Sequence, residues 1–216
     1  MFHLKNVTIA YSGQPVLQEI NLQIKRGEKI ALIGPSGSGK TTLLRRLYEM
    51  EPQHSALVHQ HHALVDALSV FHNIYSGRLD QRSTFTNILN LVKPQKEEVT
   101  TISNLLKQLG MAEKIFEKTA ALSGGQRQRV AVARALYRQG SVLLGDEPVS
   151  SIDPHQAETV LNLLRNSFQT VILSLHTVHL SLESFGRIVG LRNGRILFDL
   201  PGNEVQNSHL TRLYQT

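Results

Sequence analysis

Three short stretches of the chain combine residue types that handle phosphate. Gly34-Pro35-Ser36-Gly37-Ser38-Gly39-Lys40-Thr41 fits the pattern G-x-x-x-x-G-K-[ST]. Its glycines let the backbone curl so that successive N–H groups face one phosphate, Lys40 reaches the β and γ phosphates of a nucleotide, and Thr41 offers an oxygen to Mg²⁺. Val142-Leu143-Leu144-Gly145-Asp146-Glu147 is an apolar strand that delivers two adjacent carboxylates at its carboxyl end. Two such acids can divide the work: Asp146 holds Mg²⁺ through its water shell, and Glu147 orients and deprotonates an attacking water. Leu122-Ser123-Gly124-Gly125-Gln126 opens a helix running from Arg127 to Tyr137. Ser123 and Gln126 have capping-box spacing, and the two glycines leave N–H groups open to an anion, a second phosphate-binding helix tip in one chain.

The elements that must position these residues are legible in the hydrophobic pattern. Phe2, Leu4, Val7 and Ile9 alternate with polar residues, as do Ile20, Leu22 and Ile24, which predicts strands with one wet face. Lys29 to Ile33 is a short apolar run of the kind buried between helices, and it feeds the glycine loop and a helix expected over Thr42 to Leu47. From Asn73 to about Gly110 the chain turns polar and helical, with Ile102, Leu105, Leu106 and Leu109 on one face and a glycine stop. Gly77 to Gln95 is rich in Ser, Thr and Asn and contains Pro94, which predicts a mobile connection there. Strand (Val142 to Leu144), helix (Pro154 to Asn166), strand (Thr170 to Leu175) and a hairpin at Asn193-Gly194 follow. Alternating β and α elements predict an α/β fold with a mostly parallel sheet.

The 216 residues, 41% hydrophobic, suffice for one sizeable α/β domain with an insert. No run approaches the roughly 18 apolar residues that cross a bilayer, and Met1-Phe2-His3-Leu4-Lys5 lacks the order of a secretory leader. Cysteine is absent, which excludes disulfides and thiolate metal sites; the expected location is cytoplasmic. The net charge of +6 suits nucleic acid, an anionic membrane surface or phosphate-rich ligands alike, and its 23 Lys and Arg are dispersed rather than blocked, so it does not choose among them.

Taken in order, these motifs resemble those of ABC transporter ATP-binding subunits over essentially the whole chain. The resemblance implies a RecA-like P-loop NTPase core with a small N-terminal antiparallel β region and an inserted helical subdomain. It divides the single domain 1–216 into a nucleotide-binding core, 1–60 and 123–216, and a helical subdomain, 61–122. Ser123-Gly124-Gly125-Gln126 matches the signature motif. Tyr11 lies where the family stacks an aromatic on adenine, Gln60 resembles the Q-loop glutamine that contacts Mg²⁺, Ser151-Ile152-Asp153 resembles the D-loop, and His176 resembles the switch histidine at the γ-phosphate. Gly34 to Thr41 together with Thr42 would cradle the phosphates. Leu64-Val65-Asp66, Gly77-Arg78-Leu79, Asp146-Glu147-Pro148-Val149 and Gly194-Arg195-Ile196-Leu197-Phe198-Asp199 are similar to the phosphonate-importer branch. One departure stands out: only 20 positions separate Lys40 from Gln60, fewer than in the family, which predicts a reduced antiparallel subdomain. That short stretch and the two residues after it contain His54, His59, His61 and His62, for which solvated loop positions are expected rather than a metal site.

The resemblance further implies ATP and Mg²⁺ as ligands and a head-to-tail homodimer that closes on ATP. It also implies permease subunits docked on an apolar groove of the helical insert at the cytoplasmic membrane face, an indirect link to a substrate-binding protein, and no direct nucleic-acid partner. In that scheme Glu147 activates water while Lys40, Gln60 and His176 stabilise the transferring phosphoryl group. Two other readings are a soluble ABC ATPase acting on DNA or ribosomes and a nucleotide-binding regulatory protein. The first lacks the long heptad arms or second cassette it would require.

Overall fold

Strand β3 (Lys29–Ile33) is the centre from which the rest is built; its last four residues are fully buried. The computed structural model describes residues 1–11 and 13–215. Six strands form one sheet in the order β4 (Ser55–Val58), β5 (Val142–Asp146), β6 (Thr170–Ser174), β3, β7 (Arg187–Arg192), β8 (Arg195–Pro201). Pairing is parallel from β4 through β7 and antiparallel only in the β7–β8 hairpin. That hairpin turns at Asn193 (φ 48°) and Gly194 (φ 74°), the two left-handed residues that a tight turn matched to strand twist demands.

Alternate residues of the sheet feed two cores. Ile30, Leu32, Val142, Leu144, Ile172, Val189 and Leu191 face one side, where they meet α1 (Lys40–Met50) and a separate antiparallel pair, β1 (Phe2–Tyr11) and β2 (Gln14–Ile24). Ala31, Ile33, Leu143, Val171, Leu173 and Ile188 face the other side. There they meet α2 (Val70–Tyr75), α4 (Lys96–Gln108), α5 (Gly124–Arg138) and α6 (Pro154–Ser167). A sheet covered on both faces has no wet side, which is why β3, β5 and β6 are continuous apolar runs. Each fully buried aliphatic side chain contributes roughly 1.5–3 kcal/mol on transfer from water.

The expected strands and helices are present, with differences at their ends. Helix α1 begins at Lys40 rather than Thr42, because the glycine loop delivers the chain into helical geometry immediately after Gly39 (φ 103°). A Cβ at Gly39 would lie 2.5 Å from Leu17 Cδ2, so the close pass of β2 excludes any side chain there. The mobile connection expected over Gly77 to Gln95 is instead a 3-10 turn at Ser76–Gln81 followed by a helix, α3 (Thr84–Val92). Ser83 caps that helix by accepting from Thr86 N at 3.2 Å, and Pro94 lies just beyond its end, so the residues that read as loop are the helix's punctuation. Strand β4, α7 (Val178–Ser184) and α8 (Asn207–Tyr214) complete the chain. The antiparallel region at the N-terminus is a single two-stranded ribbon. Among the described residues no helix is long and apolar enough to cross a membrane.

Candidate nucleotide site

Parallel strands end at the same edge of their sheet, so the residues after β3, β4, β5 and β6 are gathered whether or not they are near in sequence. Gly34, Gln60, Glu147 and His176 follow those four strands. A cavity of about 290 Å³ at this edge is lined by Val16, the loop residues 36–39, Lys40, Thr41, Thr42, Gln60, Glu147 and His176.

The Lys40 ammonium donates to the carbonyls of Gly34 at 2.7 Å and Pro35 at 3.0 Å, so the lysine lies folded over its own loop. Burial pushes its pKa down from the ordinary lysine value, and the carboxylates of Glu147 and Asp146 pull it back up. Thr41 Oγ1 donates to Asp146 Oδ2 at 2.6 Å, which sets the two hard oxygens of α1 and β5 side by side. Glu147 sits at φ 53°, left-handed for a residue with a side chain, and this turn points the backbone N–H back to Ser174: to its hydroxyl at 3.0 Å and its carbonyl at 3.2 Å. The Glu147 carboxylate is mostly covered, 11% exposed; His176 Nε2 lies 2.5 Å from its Oε1, and Gln60 Nε2 donates to the same oxygen at 3.4 Å.

Two residues of this site were missed from sequence. Ser174, the last residue of β6, donates its hydroxyl to Asp146 Oδ1 at 2.5 Å and so fixes both members of the acid pair. Gln128, fully buried on α5, donates to the Glu147 carbonyl at 2.5 Å and accepts from Ser151 N–H at 2.7 Å. A serine ending a strand and a glutamine inside a helix carry no local signal; only the sheet register, which sets Asp146 opposite Ser174, reveals the first. Gln60 has support too. The loop after it turns through His62 and Ala63, both left-handed, and Arg134 donates to the carbonyls of both.

The remaining expected residues lie elsewhere. Ser123 and Gln126 form the capping box at the start of α5: Ser123 N–H donates to Gln126 Oε1 at 2.9 Å, and Gln126 N–H to Ser123 Oγ at 3.3 Å. Gly124 and Gly125 follow on the same tip, and none of the four lines the phosphate cavity of its own chain. A Cβ on Gly125 would come within 2.7 Å of Ser151 O, so the tip is packed against the loop that follows Glu147. Asp153 caps α6, accepting from Gln156 N at 3.0 Å, and is also outside the cavity. Tyr11, 48% exposed, lines a neighbouring cavity together with Thr41 and Thr42. His54, His59 and His61 are exposed and His62 is half-buried; among the described residues no three His, Cys, Asp or Glu side chains converge to hold a metal. His179 lies within α7 and pairs with Glu183 at 3.1 Å.

A glycine loop after a buried strand, an acid pair at a parallel strand end and a capped, exposed helix tip are the arrangement of a P-loop nucleotide hydrolase. A profile described as ABC transporter matches residues 17–150, and the chain belongs to the ABC transporter family of ATP-binding cassettes. It is 40% identical to a phosphonates import ATP-binding protein of Pseudomonas syringae pv. tomato, over 94% of this chain and 87% of that protein. A protein of the same description in Halalkalibacterium halodurans is 34% identical, over 99% of this chain and 94% of that one. That second match spans 244 aligned positions, more than the 216 residues present here, so the relative carries segments this chain lacks. Among solved structures, a dimeric bacterial ABC transporter cassette superposes with a TM-score of 0.81 at 25% identity, covering 93% of this chain and 98% of that one. An inward-facing putative metal-chelate type ABC transporter does so with a TM-score of 0.81 at 25% identity, covering 98% and 88%. The same dimeric cassette is also known in a post-hydrolysis state with ADP and Pi, at a TM-score of 0.74.

Proposed function

We propose that this cassette hydrolyses Mg-ATP between two copies of itself to power a membrane importer for phosphonate or a related oxyanion. The observation that carries the catalytic part is the convergence of Lys40, Thr41, Glu147, Gln60 and His176 on one cavity, with Asp146 bonded to Thr41 at its edge, while Ser123 to Gln126 lie outside it. A chain with a cradle on one surface and an anion-binding tip on another is completed by a second copy, each tip capping the γ-phosphate held in its partner's loop.

The residues fit a hard divalent ion. Thr41 Oγ1 and Asp146 Oδ2, 2.6 Å apart, are hard oxygens that would hold it, Thr41 directly and Asp146 through its water shell. Held by these residues, Mg²⁺ would supply neutralisation of the phosphate charge. Lys40 exchanges its two loop carbonyls for those phosphates, and successive loop N–H groups turn the same way. Glu147 takes the proton of the attacking water. His176 and Gln60, already hydrogen-bonding its carboxylate, hold the water and the transferring group in line. Tyr11 stacks on the base from the end of β1.

Motor and membrane partner meet at the helical region. Phe85, Ile88, Leu91 and Val92 of α3 are 77%, 57%, 58% and 81% exposed, an apolar face suited to a short amphipathic helix from a permease subunit. The phosphonate cargo rests on the names of the relatives. Reconstitution with the permease tests the whole: ATP-dependent uptake of a phosphonate, lost in Glu147→Gln, supports it. Hydrolysis stimulated by nucleic acid and indifferent to any permease would replace it with the soluble-ATPase reading.

A further inference from the structure

We infer that the cavity enclosed by α1, β4 and α5 is a second anion site, one that takes a small phosphate- or phosphonate-bearing molecule beside the nucleotide. The cavity has a volume of about 660 Å³, more than twice that of the phosphate cradle. The link between α1 and β4 is only residues 51–54, so nothing from that segment covers the opening.

Its charge is what selects an anion. Arg45, Arg134 and Arg138 all line it, with His59 and Tyr48 between them. Arg138 is spoken for: its guanidinium bonds both oxygens of Asp80 at 2.9 Å. Arg134 is not. Its two terminal nitrogens donate to the carbonyls of Ala63 at 2.5 Å and His62 at 2.7 Å, and no carboxylate lies within ion-pair distance among the described residues. Neutral carbonyls orient a guanidinium without cancelling its charge, and burial pushes the pKa of Arg134 down from its ordinary value, as expected for a cation short of a counter-ion. Arg45, one turn along α1 from Thr41 and Thr42, is exposed and forms no ion pair among the described residues; its neighbour Arg46 is taken by Glu49 at 3.4 Å. Of the two carboxylates bordering the cavity, Glu49 is paired with Arg46, and Asp146, held by the hydroxyls of Thr41 and Ser174, keeps its charge at the end next to Thr41. Two guanidiniums without an ion-pair partner among the described residues therefore line one roomy space. Planar, doubly donating forks match a tetrahedral oxyanion better than they match a carbonyl or a hydroxyl. The site adjoins the nucleotide: it shares Thr41 and Thr42 with the glycine-loop cavity and is bordered by Tyr11 and Asp146, the residues given above to the base and the metal, while Arg45 and Arg134 belong to it alone.

The test keeps the glycine loop filled. Full-length protein saturated with Mg-ADP is titrated with inorganic phosphate in one arm and methylphosphonate in the other, followed by ³¹P NMR line broadening and calorimetry. The expected result is one site per chain for at least one of the two, with the preferred probe identifying whether free phosphate or an organic phosphonate is the source. Arg45→Ala should weaken that binding at least about tenfold, the loss of one charge-assisted contact. Arg46→Ala should leave it unchanged, and Mg-ADP affinity with far-UV circular dichroism verifies that both variants are folded. No binding to the Mg-ADP complex, binding that appears only when the loop is empty, or equal affinity in Arg45→Ala and wild type would each overturn the assignment.

Discussion

Replacing Glu147 by glutamine removes a base and little else. The glutamine keeps the volume and one carbonyl oxygen of the carboxylate, so Gln60 retains an acceptor at the position where it now bonds at 3.4 Å. The backbone bonds of residue 147 to Ser174 and Gln128 do not involve the side chain and persist. The ligands expected for Mg²⁺ and the phosphates, Lys40, Thr41 and Asp146, are untouched. What disappears is the capacity to accept the water proton, together with the carboxylate charge that faces His176 at 2.5 Å. General-base catalysis is worth about 10²- to 10⁴-fold, equivalent to about 3–5 kcal/mol of barrier. Steady-state phosphate release should fall by that factor, while ATP affinity measured by calorimetry stays within about threefold, well under 1 kcal/mol. Turnover near the wild-type rate would refute the assignment of Glu147 as base. A parallel collapse of ATP affinity would show instead that the carboxylate organises the cradle.

Other substitutions test other parts of the account. Lys40→Ala removes an ammonium that only the loop carbonyls hold in the free chain, so nucleotide affinity should drop at least about tenfold, as loss of a charged hydrogen bond predicts, with the melting temperature little changed. Gln128→Ala leaves the Glu147 carbonyl and the Ser151 N–H without their buried partner, a cost of about 1–3 kcal/mol that thermal denaturation should register as a fall of several degrees. Chelating Mg²⁺ should abolish hydrolysis at saturating ATP and be reversed by added Mg²⁺, because the single positive charge of Lys40 cannot balance that of the β and γ phosphates alone. Phe85→Asp with Val92→Asp, both on highly exposed side chains, should leave basal ATPase intact and lower permease-dependent uptake several-fold; unimpaired uptake would move the docking face elsewhere.

Much of this was legible in the sequence because the relevant physics is local. The glycine loop, the acid pair at a strand end and the capping box are each written in neighbouring residues, and continuous apolar runs report burial on two faces. What escaped depends on register and packing. Ser174 matters because parallel pairing sets it opposite Asp146, and Gln128 because α5 lies against the loop after Glu147; neither neighbour is near in sequence. Helix α3 was read as connection because its cap and terminator, Ser83 and Pro94, are also turn residues. Strand β4 was overlooked because four residues, Ser55 to Val58, are too few to show a period, yet it is what carries His59 and Gln60 to the sheet's working edge.

The claim on which the mechanism rests is that the outward-facing tip at Ser123 serves a nucleotide bound in another copy. Light scattering of Glu147→Gln on a sizing column in Mg-ATP measures this directly. The account predicts a particle of twice the 24.1 kDa chain mass with ATP, reverting to a single chain when ATP is replaced by ADP. A single-chain mass at saturating Mg-ATP, with nucleotide demonstrably bound, would contradict it.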